Sequence, residues 1–137
     1  MDVLFICRAN AIRSQIAEAF YNHHATEGRA TSAGVDLTNS VQGSDLSLLA
    51  MVHNLIETYG IDSRLQRRNW LTENMVERVD VVVVLTDYSL PDYVRQAKKL
   101  VDWSDIPDIV SASKDEQVAV CKEIDRRVGL LHIHSRA

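Results

Sequence analysis

The feature that most constrains this sequence is an apolar strand that runs into a helix through a short loop beginning at a cysteine. Four apolar residues, Val3–Ile6, predict a buried strand. Apolar residues at helical spacing from Ile16 to Phe20 place the start of a helix near Arg13. Residues 7–12 must then form a tight turn whose backbone N–H groups point inwards, next to the positive end of the helix dipole. The stretch predicts a binding site for a tetrahedral oxyanion.

Cys7 and Arg13 lie at the two ends of this loop. An anion-binding loop and a helix N-terminus favour the thiolate form of a cysteine, and a guanidinium can bind two oxygens of one phosphoryl group. Ser14 can donate a hydrogen bond to the thiolate. We therefore predict that Cys7 is a catalytic nucleophile and that Arg13 is its catalytic partner, rather than that Cys7 is an inert core residue. The predicted phosphate-binding residues are Arg8, Ala9, Asn10, Ala11, Ile12 and Ser14.

Asn10 occupies the middle of the loop, where a tight turn often requires a positive φ. Asparagine tolerates that conformation better than other non-glycine residues. We therefore expect Asn10 to adopt a left-handed backbone conformation, which would help to close the loop around an anion.

The bulk properties indicate one small globular domain over residues 1–137. A net charge of −4 gives no reason to expect nucleic acid or an anionic membrane as a partner, and the apolar runs are too short to span a bilayer. Two cysteines cannot build a disulfide framework, and one is needed as a free thiolate, which predicts a cytoplasmic protein. His132 and His134 lack a third ligand, so we expect neither a metal nor any other cofactor. The oligomeric state stays open.

Apolar segments and helical patterns alternate along the chain. They predict an α/β fold with a doubly wound parallel sheet of about four strands, helices on both faces and the phosphate-binding loop after the first strand. Gly28 and Gly60 are the expected ends of the first two helices. The other predicted strands are Ala30–Ala33, Val81–Leu85 and Leu100–Trp103, and the other predicted helices are Asp45–Tyr59, Thr72–Val79, Tyr88 or Ser89 to Lys98, and a terminal helix with a capping box at Ser113–Glu116.

The segment Val3–Phe20 resembles the N-terminal signature of the low-molecular-weight protein tyrosine phosphatase superfamily, which also contains the thioredoxin-coupled arsenate reductases. Ser32-Ala33-Gly34 resembles the family's second motif, beside the phosphate loop. Two residues depart from the usual pattern: Ala9 replaces a loop glycine, and Ile12 replaces a second cysteine. The residues that match the signature in order are Cys7, Asn10, Arg13, Ser14, Ala17 and Glu18.

The resemblance implies a general acid in a loop after the fourth strand, which corresponds here to the stretch from Trp103 to Val110. We assign Asp108 because it ends the family's apolar-Pro-Asp pattern, with Asp105 as the alternative. Ile109 and Val110 replace the proline and aromatic residues that usually flank a phosphotyrosine ring. The resemblance therefore implies phosphate chemistry more firmly than it implies specificity for tyrosine.

Three functions follow from these observations. The first is a cysteine-dependent phosphatase that hydrolyses phosphomonoesters, of small molecules or of phosphoproteins, through a thiophosphate intermediate. The second is reduction of arsenate, an oxyanion of similar shape, towards which Gln15 and Trp103 point by resemblance. Thioredoxin-coupled reductases use two further cysteines near the third strand, and this chain has none there, so the reductant would be an external thiol. The third is a catalytically weak phosphate-binding regulatory domain.

Overall fold

A four-stranded parallel sheet organises the chain, as seen in a computed structural model that describes residues 1–10, 12–37, 53–64, 66–107 and 113–136. The strand order is β2-β1-β3-β4, and every pairing is parallel. This confirms the predicted α/β architecture. In chain order the elements are β1 (Val3–Cys7), α1 (Arg13–His24), β2 (Ala30–Gly34), a π-helical turn (Leu55–Tyr59), α2 (Glu73–Arg78), β3 (Val81–Val84), a 3₁₀ helix (Asp92–Gln96), β4 (Leu100–Asp102) and α3 (Lys114–Arg136).

The two central strands, β1 and β3, are buried on both faces, as their unbroken apolar sequences predict. Alternate residues of β1 divide between two cores. Phe5 faces α1 and α3, where it packs against Tyr21 and Trp103 with ring centroids 6.2 and 6.0 Å away. Leu4 and Ile6 face the other side, in a smaller core covered by α2 and the 3₁₀ helix. The sheet is therefore covered on both faces, which confirms the doubly wound arrangement.

Two predicted helices differ from the structure. Helix α1 ends at His24, four residues before Gly28, and Gly28 instead turns the chain at φ 79° into β2. The helix predicted from Tyr88 or Ser89 to Lys98 is reduced to the 3₁₀ helix, because Pro91 has an extended backbone, with ψ 148°, immediately before it. Of the helix predicted over Asp45–Tyr59, residues 45–52 lie outside the described part of the chain, and the rest ends at Gly60 (φ 68°) as predicted.

The remaining boundaries differ by a residue or two. The capping residue Thr72 accepts a hydrogen bond from the Met75 N–H at 3.4 Å, so α2 begins one residue later than predicted. The strands β3 and β4 each end one residue before their predicted ends. In the described part of the chain, no helix is both long and apolar enough to cross a membrane.

The carboxyl ends of the strands define the edge at which ligands bind in such sheets. β1 ends at Cys7, directly opposite Gly34 at the end of β2. The loop after Cys7 folds over Gly34 so closely that a Cβ atom there would lie 2.7 Å from the Asn10 nitrogen and 2.8 Å from the Arg8 carbonyl oxygen. Glycine is therefore required at this position because backbone occupies the space of a side chain.

This packing predicts that Gly34→Ala displaces the loop after β1 and destabilises the protein by about 2–4 kcal/mol, because a backbone clash cannot be relieved by a side-chain rotation. The matched control is Gly129→Ala. Gly129 lies within α3 with open space where the added methyl group would project, so the substitution should stabilise the helix by about 1 kcal/mol. Urea denaturation of both variants measures the difference, and a neutral Gly34→Ala would contradict the close approach.

Candidate active site

The sulfur of Cys7 lies at the end of a chain of hydrogen-bonded polar groups. The Asn10 Oδ1 accepts a hydrogen bond from the backbone N–H of Asn69 at 2.6 Å, so the other end of the amide, Nδ2, must be the donor to the Ser14 Oγ at 2.8 Å. The Ser14 Oγ lies 2.9 Å from the Cys7 Sγ, and its hydroxyl is the donor when Cys7 is a thiolate, because a thiolate has no proton to donate. A hydroxyl that donates to the sulfur stabilises its thiolate form.

The loop itself is held with its carbonyl groups facing outwards. The Arg8 oxygen accepts from the N–H groups of Val35 and Asp36, both at 2.9 Å. The Ala9 oxygen accepts from an Arg68 nitrogen at 2.7 Å, and the Asn10 oxygen accepts from the Gln15 Nε2 at 3.2 Å. In a planar trans peptide the next N–H points opposite to the carbonyl. The N–H groups of Ala9 and Asn10 are thereby directed to the inner side of the loop.

Two further features favour an anion inside the loop. Asn10 has φ 51°, which confirms the predicted left-handed conformation. Ile12 is the N-cap of α1 and offers no side-chain acceptor to the first turn, so its side chain does not compete with a ligand at the helix N-terminus. Both the loop curvature and the helix dipole therefore match a bound oxyanion.

Arg13 is buried beside the loop, with 8% of its surface exposed. Its NH1 donates to the carbonyl oxygens of Leu85, at 2.5 Å, and Ile106, at 3.3 Å. These carbonyls follow β3 and β4, so the guanidinium is fixed at the carboxyl ends of three neighbouring strands. This is the position from which a planar group can face the oxyanion loop.

A pocket of about 260 Å³ opens above Arg13. On one side Arg8 extends from the loop, forms an ion pair with Asp36 at 3.3 Å and stacks on the ring of Tyr88, with the guanidinium carbon 4.7 Å from the ring centroid. The described residues that line the pocket are Arg8, Arg13, Thr86, Asp87, Tyr88, Ser104, Ile106 and Pro107.

Of the two candidate general acids, only Asp105 lies in the described part of the chain. Asp105 faces α3, where its carboxylate oxygens accept from Arg127 at 2.8 and 2.6 Å. These hydrogen bonds lower the pKa of Asp105, so the structure holds it ionised and turned away from the pocket. Asp108 lies outside the described residues, and so does Ala11 of the loop. No group of three or more potential metal-binding side chains occurs in the part of the chain that the structure describes.

Several residues of the site were missed by the sequence analysis. Asn69 and Arg68 brace the loop, and Gln15 connects it to the same segment through the carbonyl of Arg67, at 3.0 Å. This segment has no periodic apolar pattern, so nothing in its sequence indicates that its polar side chains reach the loop. A buried polar contact also joins β2 to α1: the Ser32 hydroxyl donates to Glu18 at 2.8 Å, and burial raises the pKa of that carboxyl.

A four-stranded parallel sheet with helices on both faces, whose first strand ends in a hydrogen-bonded cysteine and a tight loop, defines a doubly wound α/β protein. A family comparison gives the more specific assignment. The chain belongs to the low molecular weight phosphotyrosine protein phosphatase family, whose model matches residues 2–136. No curated protein matches the chain.

Solved structures of both branches of this family are similar to the chain. An arsenate reductase in its phosphate-binding state is 27% identical, with a TM-score of 0.77 and 95% of each chain covered. A low molecular weight protein tyrosine phosphatase from T. tengcongensis is 22% identical, with a TM-score of 0.75 and coverage of 98% of this chain and 99% of that one. A mutant of the arginine phosphatase YwlE with a phosphorylated active-site serine is 20% identical, with a TM-score of 0.76 and coverage of 99% and 96%. The last two likenesses establish the fold alone.

The brace on the loop predicts a role for Arg68 in anion affinity. Arg68→Met removes the donor that holds the Ala9 carbonyl outwards, so the dissociation constant for inorganic phosphate or tungstate should rise by about tenfold, the equivalent of one charged hydrogen bond. Isothermal titration calorimetry measures this constant. Arg64→Met is the control, since Arg64 is exposed and pairs with Asp62 on the surface. Equal affinities in the two variants would show that the brace does not position the loop.

Proposed function

We propose that the protein is a phosphomonoester phosphatase that uses Cys7 as a nucleophile and passes through a thiophosphate intermediate. The observation that carries the proposal is the chain of hydrogen bonds from Asn69 through Asn10 to Ser14, which places the Ser14 hydroxyl against the Cys7 sulfur. An inert core cysteine needs no donor aimed at its sulfur. A hydrogen-bond donor stabilises a catalytic thiolate before it attacks phosphorus and again when it leaves phosphorus as the leaving group.

In the first step the Cys7 thiolate attacks phosphorus, a sulfur–phosphorus bond forms and the ester oxygen–phosphorus bond breaks. The inward N–H groups of the loop and the guanidinium of Arg13 bind the phosphoryl oxygens as negative charge redistributes among them. The carboxylic acid of Asp108 gives its proton to the departing oxygen, so the leaving group departs as a neutral alcohol or phenol.

In the second step water attacks the phosphorus of the intermediate and gives a proton to the Asp108 carboxylate. The sulfur–phosphorus bond breaks, the electron pair returns to the Cys7 sulfur, and inorganic phosphate is released. The hydroxyl of Ser14 then donates to the restored thiolate. The proposed steps are complete with these side chains, the loop N–H groups and water.

The choice of Asp108 over Asp105 is supported by the surroundings of Asp105. A general acid must be protonated when it acts, but two hydrogen bonds from Arg127 favour the ionised form of Asp105. Ser104, Ile106 and Pro107 line the pocket, and Asp105 between them does not. The next acidic residue in the sequence is Asp108.

Arsenate reduction is the second candidate function, favoured by the likeness to an arsenate reductase at 27% identity. Reducing arsenate to arsenite takes two electrons, which a pair of thiols supplies as they become a disulfide. The chain has one other cysteine, Cys121, which is buried in α3, where burial raises the pKa of its thiol. The second thiol would therefore come from a small external thiol or from thioredoxin. Either activity requires a reduced Cys7, which fits a cytoplasmic location.

Replacing the nucleophile tests the proposal directly. Cys7→Ser should lower kcat for p-nitrophenyl phosphate by at least about a thousandfold while phosphate binding persists, because serine keeps the size but not the nucleophilicity of the thiolate. Cys121→Ala is the matched control and should retain near-native turnover. Arsenate reduction is assayed in parallel with thioredoxin or small thiols supplied. Reduction without hydrolysis by the wild-type protein would favour the second candidate.

The acid assignment has its own test. Asp108→Asn should lower kcat about a hundredfold for phenyl phosphate and much less for p-nitrophenyl phosphate, whose leaving group scarcely needs a proton. Asp105→Asn is the control, because it removes a carboxylate only three positions away in the sequence. We expect it to have a small effect on both substrates. The reverse pattern would assign the acid to Asp105, and equal losses for both substrates would indicate a structural role for Asp108.

A further inference from the structure

A second and larger cavity, of about 390 Å³, adjoins the pocket above Arg13. It lies between the segment after β3, the 3₁₀ helix and β4, and we refer to it as the β4 groove. The two cavities have four lining residues in common. A substrate group that extends from the phosphoryl group past the ring of Tyr88 therefore enters the β4 groove directly. The shared residues are Thr86, Asp87, Tyr88 and Ser104.

The floor of the β4 groove is apolar and accessible. Leu90 and Val94 contribute from one side, and Leu100 contributes from β4. Leu100 is 47% exposed and Tyr88 is 41% exposed, so two of the five exposed large hydrophobic side chains of the described residues line this one groove. Adjoining exposed apolar side chains beside a candidate active site indicate a binding surface.

The rim of the groove carries a net negative charge. Asp87 and Asp102 contribute two carboxylates, and Arg95 contributes one guanidinium. The carboxylate of Asp102 accepts a hydrogen bond from the Ser104 N–H at 2.8 Å, which lowers its pKa. Neither Asp87 nor Arg95 forms an ion pair with any residue that the structure describes. A ligand with a cationic group would complement this rim.

The backbone of β4 favours an extended polypeptide in the groove. β4 is an edge strand that pairs only with β3 among the described strands. The Lys99 carbonyl and the Trp103 N–H face β3, where they bond to Val82 and Val84 at 2.9 and 2.7 Å. By the alternation of a parallel ladder, the N–H and C=O groups of Leu100 and Asp102 point away from the sheet. These groups offer hydrogen bonds to a peptide backbone passing along the groove.

We propose that the β4 groove binds the polypeptide next to the phosphorylated residue of a protein substrate, with an apolar side chain on Leu90, Val94 and Leu100 and a lysine or arginine facing the carboxylates. This deepens the proposed phosphatase function and rests on it. The apolar floor selects the first side chain by burial, and the acidic rim selects the second by charge.

The experiment compares p-nitrophenyl phosphate with phosphotyrosyl peptides. One peptide has only glycine and serine around the phosphotyrosine, and the others carry a leucine–lysine pair at successive positions on either side. The wild-type protein should hydrolyse at least one leucine–lysine peptide with a kcat/KM about tenfold above that of the glycine–serine peptide. Leu100→Ser and Asp102→Asn should each reduce this preference several-fold without changing turnover of p-nitrophenyl phosphate. Leu130→Ser, which changes an exposed leucine on α3, should change neither.

Each alternative outcome has a definite meaning. Equal kcat/KM for all peptides would overturn the docking proposal and favour a small-molecule substrate, while leaving the phosphatase activity in place. Equal losses for peptides and p-nitrophenyl phosphate in Leu100→Ser would make Leu100 structural and overturn its role in docking. If the wild-type protein hydrolyses nothing, the proposed function fails. The groove is then tested by fluorescence anisotropy of labelled peptides on Cys7→Ser, where loss of the leucine–lysine preference with Leu100→Ser added would still support it.

Discussion

The site depends on the outward orientation of consecutive carbonyl groups in the loop after β1. A peptide plane has two polar ends, so fixing each oxygen on the outside directs the following N–H to the inside. The donors that fix them are supplied by three different parts of the chain: the backbone after β2, the side chain of Arg68 and the side chain of Gln15. The shape of the candidate site thus depends on the residues around the loop as much as on the loop itself.

This arrangement explains several features that are otherwise unrelated. Gly34 must lack a side chain because the loop approaches the end of β2. The backbone of residues 69–71 pairs with Gly34 on the other side, through the Gly34 N–H to the Asn69 carbonyl at 2.9 Å and the Leu71 N–H to the Gly34 carbonyl at 2.8 Å. The same contact brings the Asn69 N–H to Asn10. One backbone contact therefore sets both the position of the loop relative to β2 and the orientation of the Asn10 amide that donates to Ser14.

The parts of the site that are local in sequence could be predicted, and the parts that come together only in space could not. The strand before Cys7, the helix at Arg13 and the conformation of Asn10 follow from periodicity and local backbone preference. Arg68 and Asn69 reach the loop from about 60 residues away, from an aperiodic segment whose side chains give no signal. The prediction of a helix from Tyr88 or Ser89 was wrong. The 3₁₀ helix begins only after Pro91, and Tyr88 lies at the pocket instead.

The bonds from Arg13 to the carbonyls of Leu85 and Ile106 limit how this protein can vary. The chain between the end of β4 and Ile106 must span the distance from the sheet to that guanidinium. An insertion or deletion there would move the Ile106 carbonyl and detach the arginine from part of its support. The number of residues in this connection is therefore constrained by the hydrogen bond to Arg13, whereas the identity of its exposed side chains is not. Substitutions in this wall of the pocket leave the contacts of Arg13 intact. Insertions and deletions disrupt them.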